Sequence, residues 1–388
     1  MLSSDAPLVL LQHHGLDNLG GKTGLAMLRY RRGPIVAVID PDHAGADVEL
    51  VTGIRRSVPV VASMREALPL LPPGVLACSS VCGKSGAVAV VGLAPSGGRL
   101  PTELHADLVM GLEAGLSVAS GLHSRLGEDP LLVAKLQPGR WIWDLRREPE
   151  DLVVGSARAA SLAGSRLLAV GTDMSVGKMS ACLELQAVAC RRGLDARFVG
   201  TGQAGILISG SGVALDAVRV DYAAGAVEQA VLAAGAGATN QTLVLVEGQG
   251  SLCHPGSTAT LPLIRGCQPT HLVLVHRAGQ TTIRSAPHVP IPPLSELIAV
   301  VQGLAALARP HPTAPAPKVA AIALNTAHLG DEEAQDALET VREQTGLPCH
   351  DPVRHGGDGL LDALMLAGVP GPSTMVDGRA SEGIRTPE

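Results

Sequence analysis

From position 167 the chain reads Leu-Leu-Ala-Val-Gly171-Thr172-Asp173-Met-Ser-Val-Gly177-Lys178-Met179-Ser180. An aliphatic run, a glycine-bounded turn and a helix-forming stretch follow in the order a phosphate-binding loop requires. Glycines let the backbone turn tightly, so that successive N–H groups point at one anion. The start of a helix adds partial positive charge, and Lys178 would set an ammonium against the outer phosphates. The run departs from the usual pattern twice. Five residues rather than four separate Gly171 from Gly177, and Met179 stands where Ser or Thr ligates magnesium. Ser180 is the nearest hydroxyl that could substitute. An ordinary Gly-rich strand-to-helix turn is the plainer alternative, and the intact strand–turn–helix order weighs against it.

Other candidates stand where aliphatic runs end, the place where parallel sheets bind ligands. Leu243-Val-Leu-Val is followed by Glu247-Gly-Gln249-Gly. Glu247 could hold magnesium through water, act as a general base, or be a solvated loop acid. His254, seven residues on, is an acid/base or phosphate-donor candidate, or neither. Gly200-Thr-Gly-Gln203-Ala-Gly205 either lines a site with N–H groups or makes a tight turn. Gln203 and Gln249 are candidate substrate contacts. Asn325 closes another run; an amide there can read an adenine edge or start a helix. In the first half, Asp40 is placed to accept ribose hydroxyls, with Asp42 and His43 beside it. Gly97-Gly98-Arg99 offers a guanidinium fork for a substrate carboxylate, or simply enters a helix. Gly20-Gly-Lys22-Thr23 resembles half a phosphate loop, but no strand-to-helix frame reads around it.

Those residues need a scaffold, and the pattern supplies one. Aliphatic runs at 35–39, 58–61, 87–91 and 141–145 alternate with helical stretches such as 102–116. After a polar, then Ala/Gly/Ser-rich stretch at 146–165, the theme returns at 167–170, 196–199, 242–246, 271–275 and 319–324, with a helix over 179–192 closed by Gly193. Strands alternating with helices predict parallel sheets with crossover helices. The expectation is an α/β chain of two domains: a Rossmann-like parallel sheet over 1–150 and a P-loop NTPase-like parallel sheet over 165–370. The Pro-rich 309–318 reads as a surface loop, and 371–388 as a disordered tail. Trp141 and Trp143 alternate on a strand, one toward the core and one toward an interface.

At 388 residues a chain usually splits into two cores. Hydrophobic residues make up 46%, yet there are only two Trp, two Tyr and one Phe. The cores must therefore be aliphatic, as buried parallel strands are. A net charge of −6 and the lack of a basic, aromatic-rich face argue against nucleic acid. No apolar stretch is long enough to cross a bilayer, and the start has no signal-peptide pattern. Seven scattered cysteines suit reduced thiols in the cytoplasm. The closest pair, Cys78 and Cys82, lacks a matching second pair for zinc. A small-molecule substrate is expected, and a homo-oligomer is compatible with the sequence.

The loop at 171–178, the Val-Glu-Gly strand end and Asn325 resemble the dethiobiotin synthetase and cobyric acid synthase branch of P-loop proteins. That resemblance implies triphosphate binding by 171–178, metal support from Asp173 and Glu247, and adenine recognition by Asn325. A second resemblance runs from about 22 to 362. It is to a bacterial family typified by D-glutamate N-acetyltransferase. It rests on Leu28-Arg-Tyr30, Ala37-Val-Ile-Asp-Pro-Asp-His-Ala-Gly45, Gly92-Leu-Ala-Pro-Ser-Gly-Gly-Arg-Leu-Pro101, Ile142-Trp-Asp-Leu-Arg146, the loops at 171–180 and 200–205, Asp216-Ala-Val with Asp221, and Val246-Glu-Gly-Gln-Gly-Ser-Leu-Cys-His-Pro255. It implies a Rossmann-like domain joined to a P-loop domain, and acetyl transfer from acetyl-CoA to the amine of an acidic D-amino acid. The loop would then hold phosphates of CoA, which need no magnesium ligand, so Met179 fits. Glu247 and His254 are the candidate bases, Lys178 is the candidate cation, and N–H groups near 248–250 are candidates for an oxyanion. The alternatives are an ATP- and magnesium-dependent ligase or kinase, and a non-enzymatic nucleotide-binding regulator.

Overall fold

The structure is a computed structural model, and it describes residues 2–76, 86–94, 100–310 and 315–371. Gly97, Gly98, Arg99, Cys78, Cys82 and the tail from 372 lie outside the described residues.

Two six-stranded sheets carry the chain. The first contains β1 (Leu8–Leu11), β2 (Ile35–Ile39), β3 (Val60–Val61), β4 (Val88–Val91), β5 (Ser117–Ser120) and β6 (Ile142–Asp144), in the spatial order β3-β2-β1-β4-β5-β6. Every pairing is parallel. This is the doubly wound order, with its ligand crevice where the winding reverses between β1 and β4. The second contains β7 (Ser165–Gly171), β8 (Asp195–Val199), β9 (Thr242–Val246), β10 (His271–Arg277), β13 (Lys318–Asn325) and β14 (Cys349–His350), in the order β14-β13-β10-β7-β9-β8 and again all parallel. Between β10 and β13, β11 (Thr282–Ile283) and β12 (Ala286–Pro290) form a separate antiparallel hairpin.

Alternation along the strands builds the cores. Leu168 and Val170 of β7 pack into one cluster, and Leu167 and Ala169 into the cluster on the opposite face. Leu8 and Leu10 of β1 divide from Val9 and Leu11 in the same way. Residues two apart share a face of a strand. For that reason both Trp141 and Trp143 pack on one cluster, correcting the expectation that they face different ways.

Five helices matter for the site: α1 (Lys22–Tyr30), α2 (Thr102–Glu113), α3 (Lys178–Arg191), α4 (Gln203–Ser209) and α5 (Val220–Ala234). α2 ends at the left-handed Gly115 and α3 at the left-handed Gly193 (φ 94° and 82°), conformations that cost glycine little. α4 belongs to the second half of the chain, yet its Ile206 and Leu207 are buried in a cluster with β1 and α1 residues. Arg31, only 3% exposed, bridges the same seam by donating to the carbonyls of Leu207 and Ser3. The two sheets therefore share apolar packing. A strand at Leu8–Leu11, absent from the sequence reading, precedes Gly20-Gly-Lys22-Thr23, and α1 follows it. That motif does have a strand-to-helix frame.

Candidate active site

β7 ends at Gly171, the loop turns, and α3 begins at Lys178. Gly177 is left-handed (φ 116°), and so is Ser175 (φ 56°), an uncommon conformation for a residue with a side chain. From Ser175 to Ser180 no backbone N–H meets a protein acceptor among the described residues. Helix starts leave such donors open, and here they are presented as a group. Lys178 folds back over the loop. Its Nζ donates to the Asp173 carbonyl at 2.7 Å, its only protein partner among the described residues, although an ammonium has three donors. Burial pulls its pKa down to about 8, opposed by the charges of Glu247 and Asp173. Two glycines make room for it: a Cβ at Gly171 would lie 2.7 Å from Lys178 Nζ, and one at Gly248 would lie 2.9 Å from its Cδ and 1.8 Å from the Ala169 carbonyl.

Glu247 follows β9 and is 5% exposed. Its Oε2 accepts from the N–H groups of Thr201 and Gly202 at 3.0 and 3.3 Å. The loop at 200–205 thus spends two of its N–H groups on this carboxylate. Burial pushes the Glu247 carboxyl up to about 7, against the pull of those two bonds and of the Lys178 charge. It is a carboxyl poised near neutrality, as proton-transfer groups are.

Lys178, Glu247, Ser180, Gln203 and Gln249 line one cavity of about 540 Å³. Gly177, Met179 and the run Gly248, Gln249 and Gly250 also line it. The N–H groups of that run have no protein acceptor among the described residues. Across the cavity stand three residues from the first domain: Lys22 and Thr23 at the start of α1, and Arg146 just beyond β6. The carboxyl ends of both sheets therefore serve one cavity. Arg146 pairs with Asp216 at 3.0 Å and donates to the Gln203 side-chain carbonyl at 3.2 Å, while its buried Nε has no partner. Through Val220, Ser257, Thr258 and Pro262 the cavity adjoins a larger groove of about 800 Å³ with Val154, Leu252 and Leu307 on its walls. The groove is larger, but the titratable groups gather in the smaller space.

Residues 41–148 match the model described as the DUF1611_N Rossmann-like domain, and residues 153–361 match the DUF1611_C P-loop domain, a domain of unknown function. The chain belongs to the DUF1611 family. A crystal structure of a DUF1611 family protein from Anabaena variabilis is similar at 49% identity with a TM-score of 0.83, over 93% of this chain and 100% of that one. A protein of Tritonibacter scottomollicae named D-glutamate N-acetyltransferase is 41% identical over 277 residues, 71% of this chain and 80% of the relative. One of the same name from a Pseudoalteromonas species is 36% identical over the same shares. The two-domain α/β fold and the family resemblance read from the sequence both hold.

Within this DUF1611 chain several candidates stand apart from the cavity. The Asp173 carboxylate accepts from Met174 N, and from Gln280 Nε2 and Arg284 N beside the β11–β12 hairpin, so it anchors the hairpin to the loop rather than facing a metal. Thr172 is fully buried with its hydroxyl on His276. The Asn325 amide donates to the Val176 carbonyl and accepts from Ala327 N, so it clamps the phosphate loop from behind instead of meeting a base. His254 does not line the cavity. Its Nδ1 accepts from Gly256 N and its Nε2 meets the Ser285 hydroxyl, so both nitrogens are engaged in loop contacts. Asp40 is fully buried and accepts from the backbone N–H groups of His14, Leu16 and Asp42, leaving it no freedom for a ribose. Two groups escaped the sequence reading, Arg146 and the Lys22–Thr23 pair. The signal for the first was its place at the end of the Ile142-Trp-Asp-Leu-Arg146 motif, immediately past a strand.

Proposed function

We propose that this protein transfers an acetyl group from acetyl-CoA to the amine of D-glutamate or a close acidic analogue. The observation that carries the reading is the pairing of an open phosphate loop with Glu247, a buried carboxyl of raised pKa, in one cavity that also holds an arginine. The name borne by the two curated relatives supports the same activity.

The loop fits CoA phosphates on its own donor set. Six consecutive open N–H groups and a buried ammonium with unfilled donors suit an anion such as a CoA phosphate. Met179 offers no oxygen to magnesium, and Asp173 is committed to the hairpin, which weighs against the ligase or kinase alternative. Bound acetyl-CoA supplies the activated acetyl group. Glu247 accepts one of the protons that the acceptor ammonium sheds; the amine nitrogen then bonds to the acetyl carbon as the carbon–sulfur bond breaks, and CoA leaves as the thiol with the amine's second proton. The N–H groups of 248–250 are the candidates to stabilise developing negative charge on the acetyl oxygen. Arg146 holds an acceptor carboxylate with its fork, and Asp216 and Gln203 keep that fork oriented. Because the phosphate loop and Glu247 share one cavity, the long CoA arm has to bend back toward Glu247. The adjoining groove gives it an apolar wall on which to do so.

Calorimetry on one preparation with acetyl-CoA and with Mg-ATP, alongside an assay for N-acetyl-D-glutamate, tests the reading. Tight acetyl-CoA binding and product formation are expected. Tight binding of Mg-ATP alone would move the protein to the ligase or kinase class.

A further inference from the structure

The spacing Gly-x5-Gly-Lys occurs twice in this chain. Gly15, Gly21 and Lys22 repeat the interval of Gly171, Gly177 and Lys178. In both cases a strand comes before, and a helix begins at the lysine. The loops are filled differently. Lys178 covers a loop whose N–H groups stay open. In the first loop, Gly15, Asn18 and Gly21 donate to the carbonyls of Gln12, Gly15 and Asn18, and the Gln12 amide donates to the Gly21 carbonyl. A Cβ at Gly21 would lie 2.0 Å from the Gly15 carbonyl, so that turn has no room for a phosphate.

The closed loop instead delivers Lys22 and Thr23 to the wall of the shared cavity. Lys22 is exposed and has no ion-pair partner among the described residues. Thr23 is 1% exposed, and its buried hydroxyl has no hydrogen-bond partner among the described residues. A buried hydroxyl left unpaired is costly unless a ligand completes it. The nine-residue α1 adds the positive end of its dipole.

We propose that Lys22 and Thr23 form a second anion seat, which takes a carboxylate of the acceptor across the cavity from the phosphate loop. The proposal rests on the acetyl-acceptor reading and deepens it. A dicarboxylic amino acid brings two carboxylates, one for Arg146 and one for this seat, and leaves its amine between them. The 3′-phosphate of CoA shares the same chemistry, so the test must separate the two.

Lys22→Met and Thr23→Val are made in the full chain. Lys22 is exposed and Val is close in shape to Thr, so both variants should melt as the wild type does. Glutarate, a dicarboxylate without the amine, is the calorimetric probe. Steady-state kinetics follow D-glutamate, acetyl-CoA and acetyl-dephospho-CoA. Each variant should weaken glutarate binding and raise the D-glutamate KM by roughly tenfold to a hundredfold, the range for a hydrogen bond or ion pair to a charged ligand. The preference for acetyl-CoA over its dephospho form should not change. A collapse of that preference, with D-glutamate kinetics intact, would overturn the carboxylate assignment in favour of the 3′-phosphate. Wild-type values throughout would overturn the seat itself. Glutarate binding that depends on Lys22, in a protein that makes no N-acetyl-D-glutamate, would sustain the seat and defeat the acetyltransferase reading.

Discussion

Glu247 and Lys178 are shifted toward each other by the same burial, one up to about 7 and the other down to about 8. In the proposed reaction Glu247 must be ionised and the Lys178 ammonium protonated in the free enzyme. A narrow bell is therefore expected for kcat/KM against pH, rising through about 7 and falling through about 8. Stability should carry the same signature with a defined sign. Between 4.5 and about 7 the folded state holds a proton on Glu247 that the unfolded state has lost, so the Glu247 contribution to stability falls as pH rises through that window, against the rise that His276, pulled down to about 4 by burial, contributes up to 6.5. Between about 8 and 10.5 the unfolded state holds a proton that folded Lys178 lacks, so the Lys178 contribution rises, against the fall contributed above 9.0 by the Cys267 and Cys349 thiols, which burial pushes up to about 12. Glu247→Gln should remove the first slope and Lys178→Met the second, as measured by denaturant unfolding across the pH range. A wild-type slope in either variant would show that the shift belongs to another group. The phosphate loop was legible in the sequence because its glycines and lysine act on the backbone beside them. Asp173, Asn325 and His254 have partners that the sequence did not suggest, for the opposite reason. Each is defined by a partner far along the chain or in its own loop geometry, and residue type does not announce the partner.

The short helix α4 decides where the Glu247 carboxylate sits. A Cβ on Gly205 would stand 2.2 Å from Glu247 Oε2 and 3.3 Å from the Phe198 ring. Gly205→Ala must push the carboxylate off the Thr201 and Gly202 N–H groups. The expected result is a loss of kcat of at least about tenfold, since displacing a proton-transfer group forfeits part of its usual hundredfold or greater contribution. Acetyl-CoA affinity, which the proposed reading assigns to the phosphate loop, should be kept. If affinity is lost and kcat survives, α4 supports the loop and not the base. On the neighbouring α3, Met179→Thr restores the hydroxyl that metal-using loops carry. Acetyl transfer should persist, and any gain should appear as magnesium-dependent ATP binding by calorimetry. Loss of acetyl transfer would mean that Met179 itself shapes the donor site. At this scale the longer aliphatic runs were readable, whereas β1, only four residues behind Ser3-Ser-Asp-Ala-Pro7, was missed. Missing β1 hid the frame around Gly20-Gly-Lys22-Thr23, and with it the first domain's share of the cavity.

Neither domain holds the whole cavity. The second supplies the glycine loop with Lys178, and Glu247, and the first supplies Lys22, Thr23 and Arg146. The sequence offered Arg99 of the first half as a guanidinium fork for a substrate carboxylate, and Arg99 lies outside the described residues. In the proposed reading Arg146 takes that role, because β6 ends beside the cavity, a placement set by how two sheets pack and invisible in local pattern. Arg146→Ala should raise the acceptor KM by roughly tenfold to a hundredfold, the range for losing a charge-assisted contact, while leaving acetyl-CoA affinity near wild type. Arg146→Lys keeps the charge and loses the fork, so it should recover only part of that loss. Removing Arg146 also strips Asp216 of its partner. The Arg146→Ala, Asp216→Ala double variant separates the two effects. If the acceptor defect came from an unpaired Asp216 repelling the substrate, the double variant would recover wild-type KM. If Arg146 binds the carboxylate itself, the double variant should stay as weak as Arg146→Ala. Wild-type KM in Arg146→Ala would leave the guanidinium a structural tie between the domains and remove it from acceptor recognition.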